Sequence, residues 1–175
     1  MARRDAERGF AGHPIPGLHA GHNPDGSNLA DGDAALLVLS TPTAAPAVQL
    51  ASDPSDLSLL DAGTGALTAG WGLTDPSVNM EPTTLQYGET VVQDPSYCAQ
   101  LAASSGNFFD STGQLCEIDA PTYADGTCSG NSGGPLIAAL PGTTTPVEIG
   151  LTSYGMNSCD TALAQYFTRT DAIYG

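Results

Sequence analysis

The chain has 175 residues, with 19 Asp and Glu against 4 Lys and Arg and a formal net charge of −15. There is no lysine, and Arg3, Arg4 and Arg8 lie in the first eight positions, so the remaining surface repels phosphate backbones and anionic lipid. That balance argues against a nucleic-acid or membrane-surface partner, and no apolar run is long enough to span a bilayer.

In chain order, residues 1 to 32 are loop-rich, with turns at HPIPG and HNPDGSN. The charged start has no apolar leader core behind it, so it does not read as a secretory signal. DAALLVLSTP then gives an apolar run from Ala34 to Leu39, closed by Pro42, which is expected to be a buried strand. A polar, proline-containing stretch to about residue 60 is expected to link two halves. Beyond it, GALTAGWGLT, TTLQYGETVV, QLCEID, GGPLIAAL, PVEIGLTSYG and AQYFTRT each read as a strand bounded by turn residues, which suits a small closed barrel. One helix is expected over residues 94 to 104, capped by Asp94 with Pro95 in its first turn.

Cys98, Cys116, Cys128 and Cys159 are spaced by 18, 12 and 31 positions and form no C-x-x-C pair. The spacing does not suggest a zinc site, and no metal or cofactor is implied; two disulfides in an oxidising compartment are expected. Four cysteines allow three pairings, and spacing does not choose among them.

Chemistry is concentrated in GTCSGNSGGPLI, where Ser132 stands between glycines. A serine hydroxyl becomes a nucleophile when a histidine oriented by a carboxylate takes its proton. The order of the three along the chain separates the unrelated folds that use them. No histidine follows Ser132, which rules out the order Ser, acid, His, and Gly133-Gly134-Pro135 is a poor start for the helix that a nucleophile elbow needs. His13, His19 and His22 all precede residue 23, with only Asp5 and Glu7 before them, so the order acid, His, Ser is poorly served. The order His, Asp, Ser remains.

TCSGNSGGPL resembles the nucleophile segment of the trypsin/chymotrypsin-like serine proteases, and GDAALLVL resembles their aspartate strand. AGWG around Trp71 is similar to the Gly-Trp-Gly that opens their second barrel, Ser153 to Gly155 to their substrate-binding Ser-Trp-Gly, and QYFTRT to their Val-Tyr-Thr-Arg-Val. The five motifs occur in the family's order over roughly residues 29 to 173. The resemblance implies two six-stranded antiparallel β-barrels, with residues 1–60 as a remnant of the first and residues 61–175 as a complete second. It implies a secreted endopeptidase of bacterial type acting on a protein or peptide substrate.

By the same resemblance Ser132 is the nucleophile, the N–H groups of Gly130 and Ser132 form the oxyanion hole, Asp33 orients the histidine and Ser153 supports Asp33. Ser153, Tyr154 and Gly155 would pair with an extended substrate as an added strand. Gly126, six positions before the nucleophile, would form the pocket base, with Gly155 and Gln165 on its walls, favouring a neutral P1 residue. A slipped loop would instead present Asp125 to a basic P1. The implied disulfides are Cys98 with Cys116 and Cys128 with Cys159.

Two departures stand out. Asn131 occupies the position of the family's aspartate that pairs with a new N-terminal ammonium, and it cannot form that ion pair. None of the three histidines stands in the family's Ala-Ala-His-Cys, and each reads as a loop histidine. The expectation is a chain that begins inside the first barrel, nearly inert alone, with apolar surface exposed near ALLVL and a complementing N-terminal segment as a partner. The rival reading is a protease-like protein that binds peptides without cutting them.

Overall fold

The computed structural model describes residues 32–78, 80–155 and 159–173. Its strands are β1 (Gln49–Leu50), β2 (Gly65–Gly70), β3 (Gln86–Val92), β4 (Gln114–Ile118), β5 (Pro135–Ala139), β6 (Pro146–Gly155) and β7 (Gln165–Arg169). A helix α1 (Pro95–Ser104) stands between β3 and β4, and a short α2 (Thr170–Ile173) follows β7. The strand order β6-β5-β2-β3-β4-β7 closes through an added β6–β7 pairing, giving a six-stranded antiparallel barrel. All six strands expected downstream of residue 60 are present. Closure removes the unpaired edges that a six-stranded open sheet would carry.

Alternation explains the closure. In β2, Ala66 and Thr68 are buried while Gly65 and Leu67 are exposed, so one face of the strand lines the barrel. The interior is filled by Ala66, Val92, Leu115, Leu136, Ala138, Val147, Ile149 and Phe167. Strand β4 is buried on both faces because α1 covers its outside, where Cys98 and Ala102 meet Cys116, Ile118, Ala164 and Tyr166. Helix α1 starts as the sequence predicts: the Asp94 carboxylate accepts the N–H of Ser96 at 2.8 Å and Pro95 occupies the first turn. Cys98 is bonded to Cys116 and Cys128 to Cys159, so the first bridge ties α1 to β4.

Upstream of the barrel the structure differs from the sequence reading. Residues 34–39 form no strand, and Leu36, Leu37, Val38 and Leu39 are 63–82% exposed. An apolar run becomes a strand only where a neighbouring strand accepts its hydrogen bonds, and the barrel strands already satisfy one another. The expected apolar exposure near ALLVL is therefore present. The stretch read as a linker is held down over its second half. β1 runs parallel to β6, Ala51 and Leu59 enter the barrel core, and buried Asp56 accepts Gln49 Nε2 at 3.1 Å and the N–H of Asp53 at 3.3 Å.

Candidate active site

The loop 126–134 leaves the Cys128–Cys159 bridge and enters β5 at Pro135. Within it Asn131 N–H donates to Cys128 O at 3.0 Å, Cys128 N–H donates to Asn131 Oδ1 at 3.2 Å, and Gly134 N–H donates to Asn131 O at 2.7 Å. Gly133 N–H donates to Thr152 O at 2.8 Å, which fastens the loop to β6. Gly130 (φ +98°) and Gly133 (φ +74°) occupy backbone conformations that a Cβ strains, so the turn is built from glycine on either side of the serine. Among the described residues the N–H groups of Gly130 and Ser132 have no hydrogen-bond partner, and Ser132 itself is exposed. Two unengaged donors beside an exposed hydroxyl can receive a carbonyl oxygen as it gains negative charge.

The side chain of Asn131 explains the glycines around Trp71. A Cβ on Gly70 would lie 2.3 Å from Asn131 Nδ2, and one on Gly72 would lie 1.9 Å from Asn131 Oδ1. Asn131 thus inserts between the two glycines and holds the loop against the start of the barrel. The sequence signal for this contact is the pair of glycines itself.

Asp33 reaches the same region through β6. The β6–β7 register shifts between Thr152 and Tyr154, leaving Ser153 unpaired in the ladder, as in a β-bulge. The Ser153 hydroxyl donates to Asp33 Oδ2 at 2.7 Å, and the Thr168 hydroxyl donates to the main-chain carbonyl of Asp33 at 3.2 Å. Consecutive residues of β6, Thr152 and Ser153, therefore anchor the Ser132 loop and Asp33. His13, His19 and His22 lie outside the described residues.

A cavity of about 190 Å³ opens beside Ser132, walled by Thr127, Cys128, Ser153, Tyr154, Gly155 and Gln165 among others. Among the described residues none of its lining side chains is charged. Thr127 and Gln165 are buried, and the Thr127 hydroxyl donates to Gln165 Oε1 at 3.0 Å. A Cβ on Gly155 would lie 2.2 Å from Gln165 Oε1, so a side chain there would have to displace the Gln165 amide. Tyr154 stacks on Tyr166 at 4.5 Å, its hydroxyl donates to Phe108 O, and burial pushes that hydroxyl up to about 12.

Gly126 lies elsewhere: it lines a second cavity of the same volume, together with Asp125, Gly70, Gly72 and Asn131. Thr127, Cys128 and Cys159 line both cavities, so the bridge stands between them. Asp125 Oδ2 accepts the N–H of Glu89 at 3.1 Å, and the loop before it is folded around Asp119, whose Oδ2 accepts the N–H groups of Ala124 and Asp125. The Thr122 hydroxyl on that carboxylate holds Asp119 below the ordinary carboxylate range. Among the described residues no group of three or more His, Cys, Asp or Glu could hold a metal ion, and all four cysteines are paired.

A closed antiparallel barrel with a serine-bearing glycine loop, a bridged pocket wall and an aspartate held by a bulged strand defines the class of fold and site. A family model described as Trypsin matches residues 13–174. The fibrinolytic enzyme isozyme C of Lumbricus rubellus is 31% identical over 134 residues, covering 73% of this chain and 52% of that protein. Trypsin iota of Drosophila melanogaster is 32% identical over 144 residues, covering 79% and 50%. Among solved structures, neuropsin, a serine protease expressed in the limbic system of mouse brain, superposes with a TM-score of 0.58 at 24% identity, over 73% of this chain and 50% of that one, a likeness of fold. The chain belongs to the Trypsin family, and it spans about half the length of these relatives.

Proposed function

We propose that the chain carries the nucleophile and pocket half of a serine endopeptidase. Ser132 would attack the peptide carbonyl, the N–H groups of Gly130 and Ser132 would hold the oxyanion, and Asp33, supported by Ser153, would orient a histidine. The observation that carries this reading is the pair of unengaged N–H groups beside the exposed Ser132 hydroxyl. Ser153, Tyr154 and Gly155 form the end of β6 and would receive the substrate backbone as an added strand. The uncharged lining that the described residues give the Ser132 cavity supports a neutral P1 residue, whereas Asp125 lines the second cavity. Two disulfides suit a secreted protein.

We further propose that this chain turns over substrate slowly by itself, since none of its three histidines stands in Ala-Ala-His-Cys. Loss of the histidine costs on the order of 10⁶ in turnover in a site of this kind. The same feature favours the second reading, a protein that binds peptides without cutting them. A fluorophosphonate probe separates the readings. Slow labelling that Ser132→Ala abolishes, and that accelerates when a segment bearing Ala-Ala-His-Cys is added, supports the endopeptidase. Peptide binding with no labelling under either condition supports the binding protein, and rapid labelling of the chain alone refutes the claim of slow turnover.

A further inference from the structure

Strand β4 carries one charged residue, Glu117, and it is fully buried. The Thr90 hydroxyl donates to Glu117 Oε2, while Oε1 has no partner among the described residues. An unpaired carboxyl oxygen inside a barrel is costly, so its neighbours define what it can do. One rung of the barrel runs Val92, Glu117, Gln165, Gly155 across β3, β4, β7 and β6. Residues directly opposite on paired strands share a face with Cβ atoms about 5 Å apart, which sets Glu117 beside Gln165.

Gln165 is the link to the cavity. Its Oε1 accepts the Thr127 hydroxyl, but its Nε2 reaches Leu163 O at 3.4 Å, a long contact. Gln165 lines the Ser132 cavity and Glu117 does not. We propose that Glu117 is a positioning residue for the wall of the Ser132 cavity, acting through the amide of Gln165 and setting whether the Thr127 hydroxyl is engaged or offered to a ligand. With Glu117 neutral, Thr127 stays bonded to Gln165 Oε1, as in this structure. With Glu117 ionised, the bare Oε1 draws Nε2 of Gln165, the amide turns, and the Thr127 hydroxyl loses its acceptor and faces the cavity. The ligand that gains is a neutral group with a hydrogen-bond acceptor; naming it a P1 side chain rests on the endopeptidase reading.

The charged groups on elements packed against Glu117 are Glu89 of β3, Asp119 at the end of β4 and Asp125 in the loop that follows, all carboxylates. Arg169 of β7 is four residues from Gln165 and paired with Asp171, and Glu148 of β6 lies at the far end of that strand beside β1. Tyr154 and Tyr166 belong to the cluster under α1, on the other face. Burial first, then the charge of Asp119, pushes the Glu117 carboxyl up to about 7, so the change of state falls in an accessible range.

The test is the side-chain amide NMR signal of Gln165 as a function of pH in the full chain, with Glu117→Gln and Glu117→Leu as controls. The expected result is a titration with a midpoint near 7 in the wild type and a flat response in both variants. Benzamide, a neutral aromatic amide, is the ligand probe; its affinity should rise severalfold between about pH 5.5 and 8.5 in the wild type and stay constant in Glu117→Gln. A Gln165 signal that does not titrate, or that titrates equally in either folded variant, overturns the proposal. So does benzamide affinity that ignores pH in the wild type. These readouts require no chemistry at Ser132, so a failure of fluorophosphonate labelling would refute the endopeptidase reading and leave this one standing.

Discussion

Asn131 is the residue on which the nucleophile loop turns, because its side chain fills the space that side chains at positions 70 and 72 would need. At Gly70 only side-chain atoms of Asn131 are within 3.5 Å of the added Cβ, so a Gly70→Ala clash is relieved by shortening Asn131. Gly70→Ala is expected to cost about 1–3 kcal/mol in the wild type and clearly less beside Asn131→Ala, a coupling that denaturant unfolding of the four proteins in a double-mutant cycle measures. Glu117 gives a second expectation at this scale. Its carboxyl lies near 7 in the folded protein and near 4.5 when unfolded, so the folded form holds the proton more tightly. That contribution is complete below about pH 4.5 and is lost as pH rises toward and through 7, at about 1.4 kcal/mol per pH unit and about 3 kcal/mol in all. Glu117→Gln should flatten this slope in melting curves recorded from pH 4.5 to 8. Ser132 and Asp33 were legible at this scale as the positions that the family's motifs single out, since motifs fix positions in sequence; their catalytic roles belong to the proposal. The place of Gly126 and the Glu117–Gln165 rung were not, because which wall a residue faces depends on how strands register, and a charged residue in a strand looks solvent-facing until the closed barrel encloses it.

At the level of elements, α1 and β4 depend on one another. The helix buries little besides Cys98 and Ala102, and the Cys98–Cys116 bridge fixes it to the strand it covers. Replacing both cysteines by alanine should cost about 2–5 kcal/mol in chemical denaturation and expose Cys116's neighbour Ile118 to exchange before the rest of the barrel. The six barrel strands and α1 were legible because alternation, turn residues and the Asp94-Pro95 start agree with the structure they build. β1 and the 3-10 helix at Asp56–Leu60 were not, since a two-residue strand has no period to detect. The run 34–39 has the composition of a strand, but composition carries no information about whether a partner is at hand.

For the whole molecule, charge and apolar exposure oppose one another. A net charge of −15 keeps copies apart, while the side chains from Leu36 to Leu39 favour contact between them. Salt screens the first and leaves the second, so sedimentation velocity should show association increasing between about 10 mM and 500 mM NaCl. Leu37→Ser with Val38→Ser should suppress that association without lowering the melting temperature, because neither side chain is buried. Unchanged association in the double variant would assign the contact to another surface.

The Cys128–Cys159 bridge also acts as a partition. Cys128 and Cys159 line both the Asp125 cavity and the Ser132 cavity, so one covalent link fixes a wall of each at once, and a change at either cysteine is felt on both sides.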